Sequence, residues 1–600
     1  MVTRGSAGGR LLGFILTFEI PMRLAAIAAL FLSFTSLLAQ GPATLGVAEI
    51  RAGMKGYGRT VFQGGKIERF EFEVVGIQKN AAPGRSRIMV RASGGPLADT
   101  GILAGMSGSP CYIDGKLIGA LSTGIAFEKE PIGGITPIAE MLDQLRDIPE
   151  TAPSRTPLIL PKLEPPKVLK AALMGQMLDF RSMMGDLDPQ ALPMALAGSP
   201  MGTEAQRLWS GWPVTFTAGP ALSGGREEAS PLEPGGMVAV TLMQGDLDLA
   251  AAGTITYISG KRILLFGHQL FNLGPVDLPL WSATVATTVS SYQSSFKLAM
   301  PVAPIGALRL DRSSGVAGIL GAEAHMVPMR IGLNLGGKKT LNFRFEIMDH
   351  PVATAALAAT AVAQTLEAHT RGLGFQSLAM QGNIKLAGHP AIVIENVIAD
   401  LNPGRMAQFV GAMLQAVCLN PFEKPVFEGI SITIKAEERL DLTAIAGVRL
   451  LRARAKRGEI LPVLVTLQNI QGVRETATFN IQVSSSATKG KAILMVGDGF
   501  SLTAADPDER MIETASLGDV VRILNGALRN NHAYALLVQS QPGAGLRGSR
   551  IEGIPPSVAT LVGGDGASSE NRLQRRIVGR ALLPLEREVR GISQLEVEIE

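Results

Sequence analysis

The chain switches hydrophobic period several times along its length. Between residues 44 and 145, short apolar runs alternate with Gly, Pro and Asn, as in Glu71–Ile77, Arg87–Val90, Cys111–Ile113 and Lys116–Ser122. Period-two alternation broken by turn residues predicts short strands. The pattern returns at Met237–Met243 and continues through Gly253–Tyr257, Arg262–Phe266 and Ser282–Ser290. A helical stretch follows at about 352–370. A second helix is predicted from Asn402-Pro403, with an apolar stripe of Met406, Phe409, Val410, Met413, Leu414 and Val417. Strand patterning resumes near 427, where Ile430, Ile432 and Ile434 alternate with Ser431 and Thr433. Leu461–Leu467, Thr476–Val483 and Ala492–Val496 add three strands in an immunoglobulin-like pattern. Val520–Leu528 reads as a helix, Tyr534–Val538 as a strand, and Leu595, Val597 and Ile599 as a closing strand.

These periods divide the 600 residues into several units. Residues 1–40 form a leader or N-terminal anchor, and 41–150 a first β unit. A linker and helical insertion occupy 151–231, with proline-rich sequence at 146–168 and a Gly/Pro/Glu-rich connector at 219–236. Residues 232–350 form a second β unit, 351–426 a helical or mixed segment, and 427–600 a β-rich C-terminal region. The expected class is mainly β.

Composition narrows the function. Sixty-nine glycines against five tyrosines and three tryptophans suit many short strands and tight turns. The 56 basic and 52 acidic residues leave a net charge of +4 with no long basic block, which argues against nucleic-acid binding. Cys111 and Cys418 supply neither a disulfide framework nor a metal quartet and read as buried thiols. No metal-ligand spacing and no phosphate-loop spacing is present, so no metal or cofactor is expected. Arg4, Arg10 and Arg23 precede the uncharged apolar stretch Leu24–Leu38, as in an export signal. The cleavage position is ambiguous, because Ala39 is small but Leu37 is not. An uncleaved segment would be the chain's one membrane attachment. The expected location is the periplasm, the envelope or the exterior.

The chemistry concentrates at Gly105-Met106-Ser107-Gly108-Ser109-Pro110. Acyl transfer to serine needs an exposed hydroxyl on a tight turn, a base, and N–H groups facing the developing oxyanion. This loop can supply the hydroxyl and the N–H groups. It feeds a hairpin signature, Pro110–Ile113, Asp114-Gly115 and Lys116–Ser122. The loop is similar to the G-x-S-G-x-P pattern of chymotrypsin-like peptidases. That resemblance implies Ser107 as nucleophile, with Ser109 second, and the N–H groups of Gly105 and Ser107 as the oxyanion hole.

Two further stretches extend the likeness: Asp114-Gly115-Lys116-Leu117-Ile118-Gly119-Ala120, and Pro131-Ile132-Gly133-Gly134-Ile135-Thr136-Pro137 with Ile138–Leu142. Together with the loop they resemble the SpoIVB peptidase family of regulated serine peptidases, over about 44–145. The resemblance implies a chymotrypsin-like double β-barrel, here built from two separated segments, and an exported endopeptidase acting on protein or peptide substrates. Gly253–Tyr257 and Leu265-Phe266-Gly267-His268 resemble the region of the family's catalytic histidine, which implies His268 as base.

The chain departs from the family in order and in its acid. All six histidines (His268, His325, His350, His369, His389 and His532) follow Ser107, so the serine and histidine segments are swapped. Triads depend on geometry rather than chain order. The family's acid position falls in Arg91-Ala92-Ser93-Gly94, which has no carboxylate. Asp277, close after His268, and Asp99, in the serine unit, are the acids considered. No PDZ domain is recognised. The contrasting reading is a non-catalytic envelope protein that keeps the peptidase-like barrel as a binding scaffold.

Overall fold

The computed structural model describes residues 43–600 except 126, 153–164, 180–193, 199–200, 213, 219–228, 273, 293, 338, 371–373, 402, 506–513, 547–548, 553–554, 556 and 559–571. The N-terminal leader, most of the proline-rich linker, most of the 219–236 connector and Asn402 fall outside the described residues. The fold is mainly β. Among the described residues no helix is long and apolar enough to cross a membrane.

The first unit is a closed barrel. Its strands are β1 (Lys55–Val61), β2 (Ile67–Ala82), β3 (Arg85–Ser93), β4 (Pro110–Ile113), β5 (Lys116–Thr123) and β6 (Ile132–Pro137), in the order β1-β2-β3-β6-β5-β4. Pairing of Tyr57 with Tyr112 and of Gly58 with Cys111 closes the ring. Strand alternation sends Phe70, Phe72 and Val74 inward and Arg69, Glu71 and Glu73 outward or to the rim. Two glycines of β1 make room for those rings. A Cβ on Gly58 would lie 2.1 Å from the Phe70 ring, and one on Gly56 would lie 2.5 Å from Phe72. The glycine-rich run Gly53–Gly58 is thus a strand entry carved to admit aromatics. Asp114 and Gly115 both have positive φ (49° and 74°), as a two-residue hairpin turn requires.

The second unit is part of a 13-stranded sheet. Its strands in chain order are β7 (Met194–Gly198), β8 (Val214–Ala218), β9 (Met237–Gly245), β10 (Leu249–Ser259), β11 (Arg262–Leu265), β12 (Gly274–Val289), β13 (Phe296–Arg312), β14 (Gly315–Leu320), β15 (Met326–Asn334), β16 (Thr340–Met348), β17 (Gln376–Leu386), β18 (Ile392–Asp400) and β19 (Phe427–Glu437). An additional β9–β10 pairing joins two strands that lie far apart in the sheet order. It closes the hydrogen-bonded circuit β9-β12-β13-β14-β11-β10, every pair antiparallel. The chain therefore carries two antiparallel β-rings from separated segments. The rings lie against each other: Gly64 and Val285 exchange N–H···O bonds of 2.7 and 2.9 Å. Helix Ile138–Asp147 packs Met141 and Leu145 with Leu264, Leu310 and Ala317 of the second ring.

Beyond the ring the sheet runs on through β16, β15, β19, β17 and β18, with helices Ala353–His369 and Gly404–Cys418 sharing its largest core. Residues 353–363 of the first helix are all buried. Its threonines remain tolerable there because Thr360 and Thr365 bond back to the carbonyls of Ala356 and Ala361 at 2.8 and 2.7 Å.

Several sequence readings shift. The alternating isoleucines of β19 pair with β15 and β17 in the large sheet, so the separate C-terminal layers begin after 437 and not at 427. Period-two alternation identifies a half-buried strand but not its partner. The described part of 151–231 contains strands β7 and β8 as well as helices. The helix read at Val520–Leu528 runs from Leu517 to Asn525, because the Ser516 hydroxyl caps it by accepting from the Asp519 N–H. The C-terminal layers are a four-stranded and a six-stranded sheet around Leu461, Val463, Phe479, Leu494, Leu537 and Val597. Two parallel pairings, of Leu442–Leu450 with Glu588–Arg590 and of Arg454–Ala455 with Ile592–Ile599, set them apart from an immunoglobulin sandwich.

Gly58→Ala drives a methyl into the Phe70 ring at the barrel seam, and overpacking of this kind costs about 1–3 kcal/mol. Urea denaturation should show that loss, and a companion Gly53→Ala, where a Cβ meets nothing within 4 Å but φ is +84°, should show only backbone strain.

Candidate active site

The serine loop lies between the short helix Leu97–Thr100 and β4. Gly105 and Gly108 have φ of 94° and 95°, which strongly favours glycine. Gly108 also has no room for a side chain, since a Cβ would sit 2.1 Å from the Thr254 carbonyl oxygen. The loop's own amides are mostly committed. Met106 N–H donates to Leu103 O (3.0 Å), Gly108 N–H to Leu121 O (2.8 Å) and Ser109 N–H to Met106 O (2.9 Å). Among the described residues, the N–H groups of Gly105 and Ser107 donate to no acceptor.

The two serines differ sharply. Ser109 is fully buried, and its hydroxyl lies 2.6 Å from Met106 O and 3.0 Å from Thr60 Oγ1. Ser107 is 5 % exposed, and its hydroxyl makes no hydrogen bond among the described residues. Ser109 is therefore built into the loop's framework, whereas the Ser107 hydroxyl is not tied down.

Strand β10 of the second ring cradles this loop. Thr254 N–H donates to Ser107 O (2.8 Å), Thr254 Oγ1 to Gly105 O (3.0 Å) and Thr256 Oγ1 to Gly108 O (2.8 Å). The two hydroxyls face the loop together because residues two apart share a strand face. This explains the Gly253-Thr254-Ile255-Thr256 sequence. Gly253 belongs to the same fit, since the Phe266 ring occupies the place of its Cβ.

His268 follows a sharp reversal. Phe266 and Gly267 have φ of 66° and 70°. A left-handed aromatic residue is a strained conformation that needs support from its surroundings. The support comes from the first barrel. Thr136 Oγ1 donates to Gly267 O (2.7 Å), and Gly267 lies against Ala120 and Ser122 of β5. The same strand brackets the serine loop, because Leu121 bonds both Gly108 and Ser109. The serine loop and the histidine turn thus rest on one strand, from opposite sides of the ring interface. The structure brings the two swapped segments together.

His268 is 7 % exposed, and its Nδ1 lies 2.7 Å from Gln269 O. A carbonyl accepts only, so Nδ1 carries the proton and Nε2 the lone pair. The other histidines work elsewhere. His350 Nδ1 accepts from Val352 and Ala353 at a helix start, His325 and His389 face Asp349 and Glu423, His369 faces Thr365 O, and His532 faces Asn531.

The acids occupy distinct settings. Asp277 is buried on β12, with its carboxylate on the Arg309 guanidinium and 3.4 Å from the His325 N–H. Asp99 is exposed in the short helix Leu97–Thr100. Sequence reasoning missed Asp311, which is fully buried and accepts from Leu270 N–H (2.8 Å) and Phe271 N–H (2.7 Å), pinning the chain just after His268. Its position on β13, distant in sequence, left no local signal.

Sequence reasoning also missed Lys297. It is 1 % exposed on β13, with Nζ 2.6 Å from Thr60 Oγ1 and 3.6 Å from Met237 Sδ. Its stem runs beneath Gly105, 3.3 Å from where a Cβ would be. No carboxylate pairs with it among the described residues. Burial therefore pushes its amine well below the ordinary lysine range, which favours the neutral form. The thiol of buried Cys111 is pushed upward for the same reason and is no nucleophile.

Two antiparallel β-rings meeting at a G-x-S-G-x-P loop define the chymotrypsin-like serine-peptidase class of fold. Residues 41–142 match the SpoIVB peptidase S55 family, a family of that class; the match covers the first barrel and the serine loop and ends well before His268. No curated protein and no solved structure matches the chain.

Two stability measurements follow from the buried charges. Asp277→Ala strands the Arg309 guanidinium in the interior and should cost about 3–5 kcal/mol in chemical denaturation. For Lys297, the unfolded chain titrates near 10.5 and the folded protein well below it. Between those values the unfolded chain binds the extra proton, so stability rises with pH across that interval. Lys297→Met should flatten this slope in urea titrations from neutral to alkaline pH.

Proposed function

We propose that the protein is an exported serine endopeptidase that cleaves protein substrates through an acyl-enzyme on Ser107. The observation that carries this reading is the pair of loop amides, Gly105 and Ser107, left without acceptors among the described residues while those of Met106, Gly108 and Ser109 are engaged. Those are the two N–H groups that an oxyanion hole at this loop would use. Residues 41–142 matching a serine-peptidase family supports the same reading.

In the proposed reaction, Ser107 Oγ attacks the substrate carbonyl carbon while its proton passes to His268 Nε2. The carbonyl oxygen becomes an oxyanion facing the Gly105 and Ser107 N–H groups. Its collapse breaks the C–N bond, and the leaving amine takes the proton from the imidazolium. Water then repeats the sequence: His268 accepts its proton, hydroxide adds to the ester, and Ser107 departs with the proton returned. The Gln269 carbonyl holds Nδ1–H in the required tautomer, the task an aspartate performs in most triads. Asp311 secures the backbone beside it, whereas Asp277 is engaged by Arg309 and the His325 N–H. The apolar stretch Leu24–Leu38 after Arg23 supports export.

Labelling with a fluorophosphonate tests the reading. The wild-type protein should be phosphonylated on Ser107, as located by peptide mass spectrometry, and Ser107→Ala should abolish labelling. Removal of a catalytic serine typically lowers turnover by about 10⁶-fold. Ser109→Ala should still be labelled, though more slowly. A folded wild-type protein that takes no label would favour a binding scaffold, and labelling that survives in Ser107→Ala would overturn the assignment.

A further inference from the structure

Lys297 touches the serine loop at both ends. Its backbone N–H donates to Ala104 O at 3.0 Å. Its side chain reaches Thr60 Oγ1 at 2.6 Å, Thr60 Oγ1 lies 3.0 Å from Ser109 Oγ, and Ser109 Oγ lies 2.6 Å from Met106 O. A hydroxyl has one proton to give. With the Ser109 proton on the Met106 carbonyl, its shorter contact, Thr60 must donate to Ser109 and receive from Lys297. The chain of donors then runs in one direction, from the amine to the Met106 carbonyl.

The two carbonyls at the ends of these paths matter because of the peptide groups they belong to. Ala104 C=O shares a rigid plane with Gly105 N–H, and Met106 C=O shares one with Ser107 N–H. In a trans peptide the C=O and N–H point in opposite directions. Holding each carbonyl inward therefore turns the paired N–H outward. We propose that Lys297 is a positioning residue that orients both oxyanion donors, Gly105 N–H through its own backbone and Ser107 N–H through the Thr60–Ser109 relay. The inference rests on the serine-peptidase reading for its consequence in rate, but not for its consequence in loop geometry.

The chemistry at position 297 fits this role better than a packing role. A buried amine without a carboxylate partner is a poor core residue, and an apolar side chain of similar length would suit the site better on stability alone. Met237 Sδ and the Phe62 ring, 5.8 Å away, already make the surroundings apolar. What a methionine could not supply is the hydrogen that sets the direction of the Thr60 and Ser109 hydroxyls.

The test uses the full chain and four variants: Lys297→Met, Thr60→Val, their double mutant, and Thr60→Ser, which keeps the hydroxyl. The first readout is fluorophosphonate labelling, resolved into the maximal rate and the half-saturating concentration. The second is hydrogen exchange of peptides spanning 103–110. One oxyanion donor is worth about 10²–10³ in rate. Lys297→Met and Thr60→Val should each lower the maximal rate by about 10–100-fold at unchanged half-saturation and speed exchange in the loop. The double mutant should be no slower than the worse single variant, as expected of one relay. Thr60→Ser should restore most of the rate and the protection, and Lys297→Met should melt no lower than wild type. Thr60→Val labelling like wild type with unchanged exchange, or Thr60→Ser as slow as Thr60→Val, would overturn the proposal. Should Lys297→Met fail to fold, the valine–serine pair at Thr60 still decides. Wild-type protein that takes no label defeats the peptidase reading instead, and the exchange data then judge the loop-positioning claim alone.

Discussion

Two rigid peptide planes, Ala104–Gly105 and Met106–Ser107, are the constraint on which the rest of the site depends. Each has its carbonyl bound from within the protein and its N–H turned away. The bonds that hold them come from elements far apart in the chain, β1 through Thr60 and β13 through Lys297, while Thr254 of β10 holds the carbonyls of Gly105 and Ser107 in the neighbouring planes. A loop of six residues cannot fix two left-handed glycines and two oriented amides by itself. It is the junction of two β-rings that does so, and the ring interface is in that sense part of the site.

The same interface also holds the histidine turn. The histidine turn is strained at Phe266, and the compensating contacts come from Thr136, Ala120 and Ser122 of the first barrel. Neither unit holds its segment alone. Ser107 is held by bonds from β10, and the His268 turn by contacts to β5 and β6. Reciprocal support of this kind makes the order of the segments along the chain irrelevant, provided both rings form and dock.

Much of this was legible in the sequence, and the reasons for the rest are physical. The glycine spacing at 105 and 108 and the Asp114-Gly115 turn announce backbone geometry that few other residues adopt, so the loop and hairpin stand out. Strand periodicity identified both β units, but it could not say that β9 would pair with β10 to close a ring, or that β19 would join the large sheet. Thr254 and Thr256 lay in a segment noted for its resemblance, yet their role in holding the loop appears only once β10 lies beside it. Lys297 and Asp311 gave no signal. A buried lysine in an alternating strand reads as a solvated position, and a carboxylate that binds two backbone amides across 40 residues follows no local pattern.

On the proposed function, the Gly105 and Ser107 amides converge on the oxygen of a tetrahedral adduct at Ser107. A crystal structure of the protein inactivated with a small fluorophosphonate tests it most directly. Phosphorus should be bonded to Ser107 Oγ and a phosphoryl oxygen should lie within about 2.7–3.1 Å of both nitrogens, with the Met106 carbonyl still on Ser109. An adduct on another residue, or a phosphoryl oxygen turned away from these amides, would contradict it.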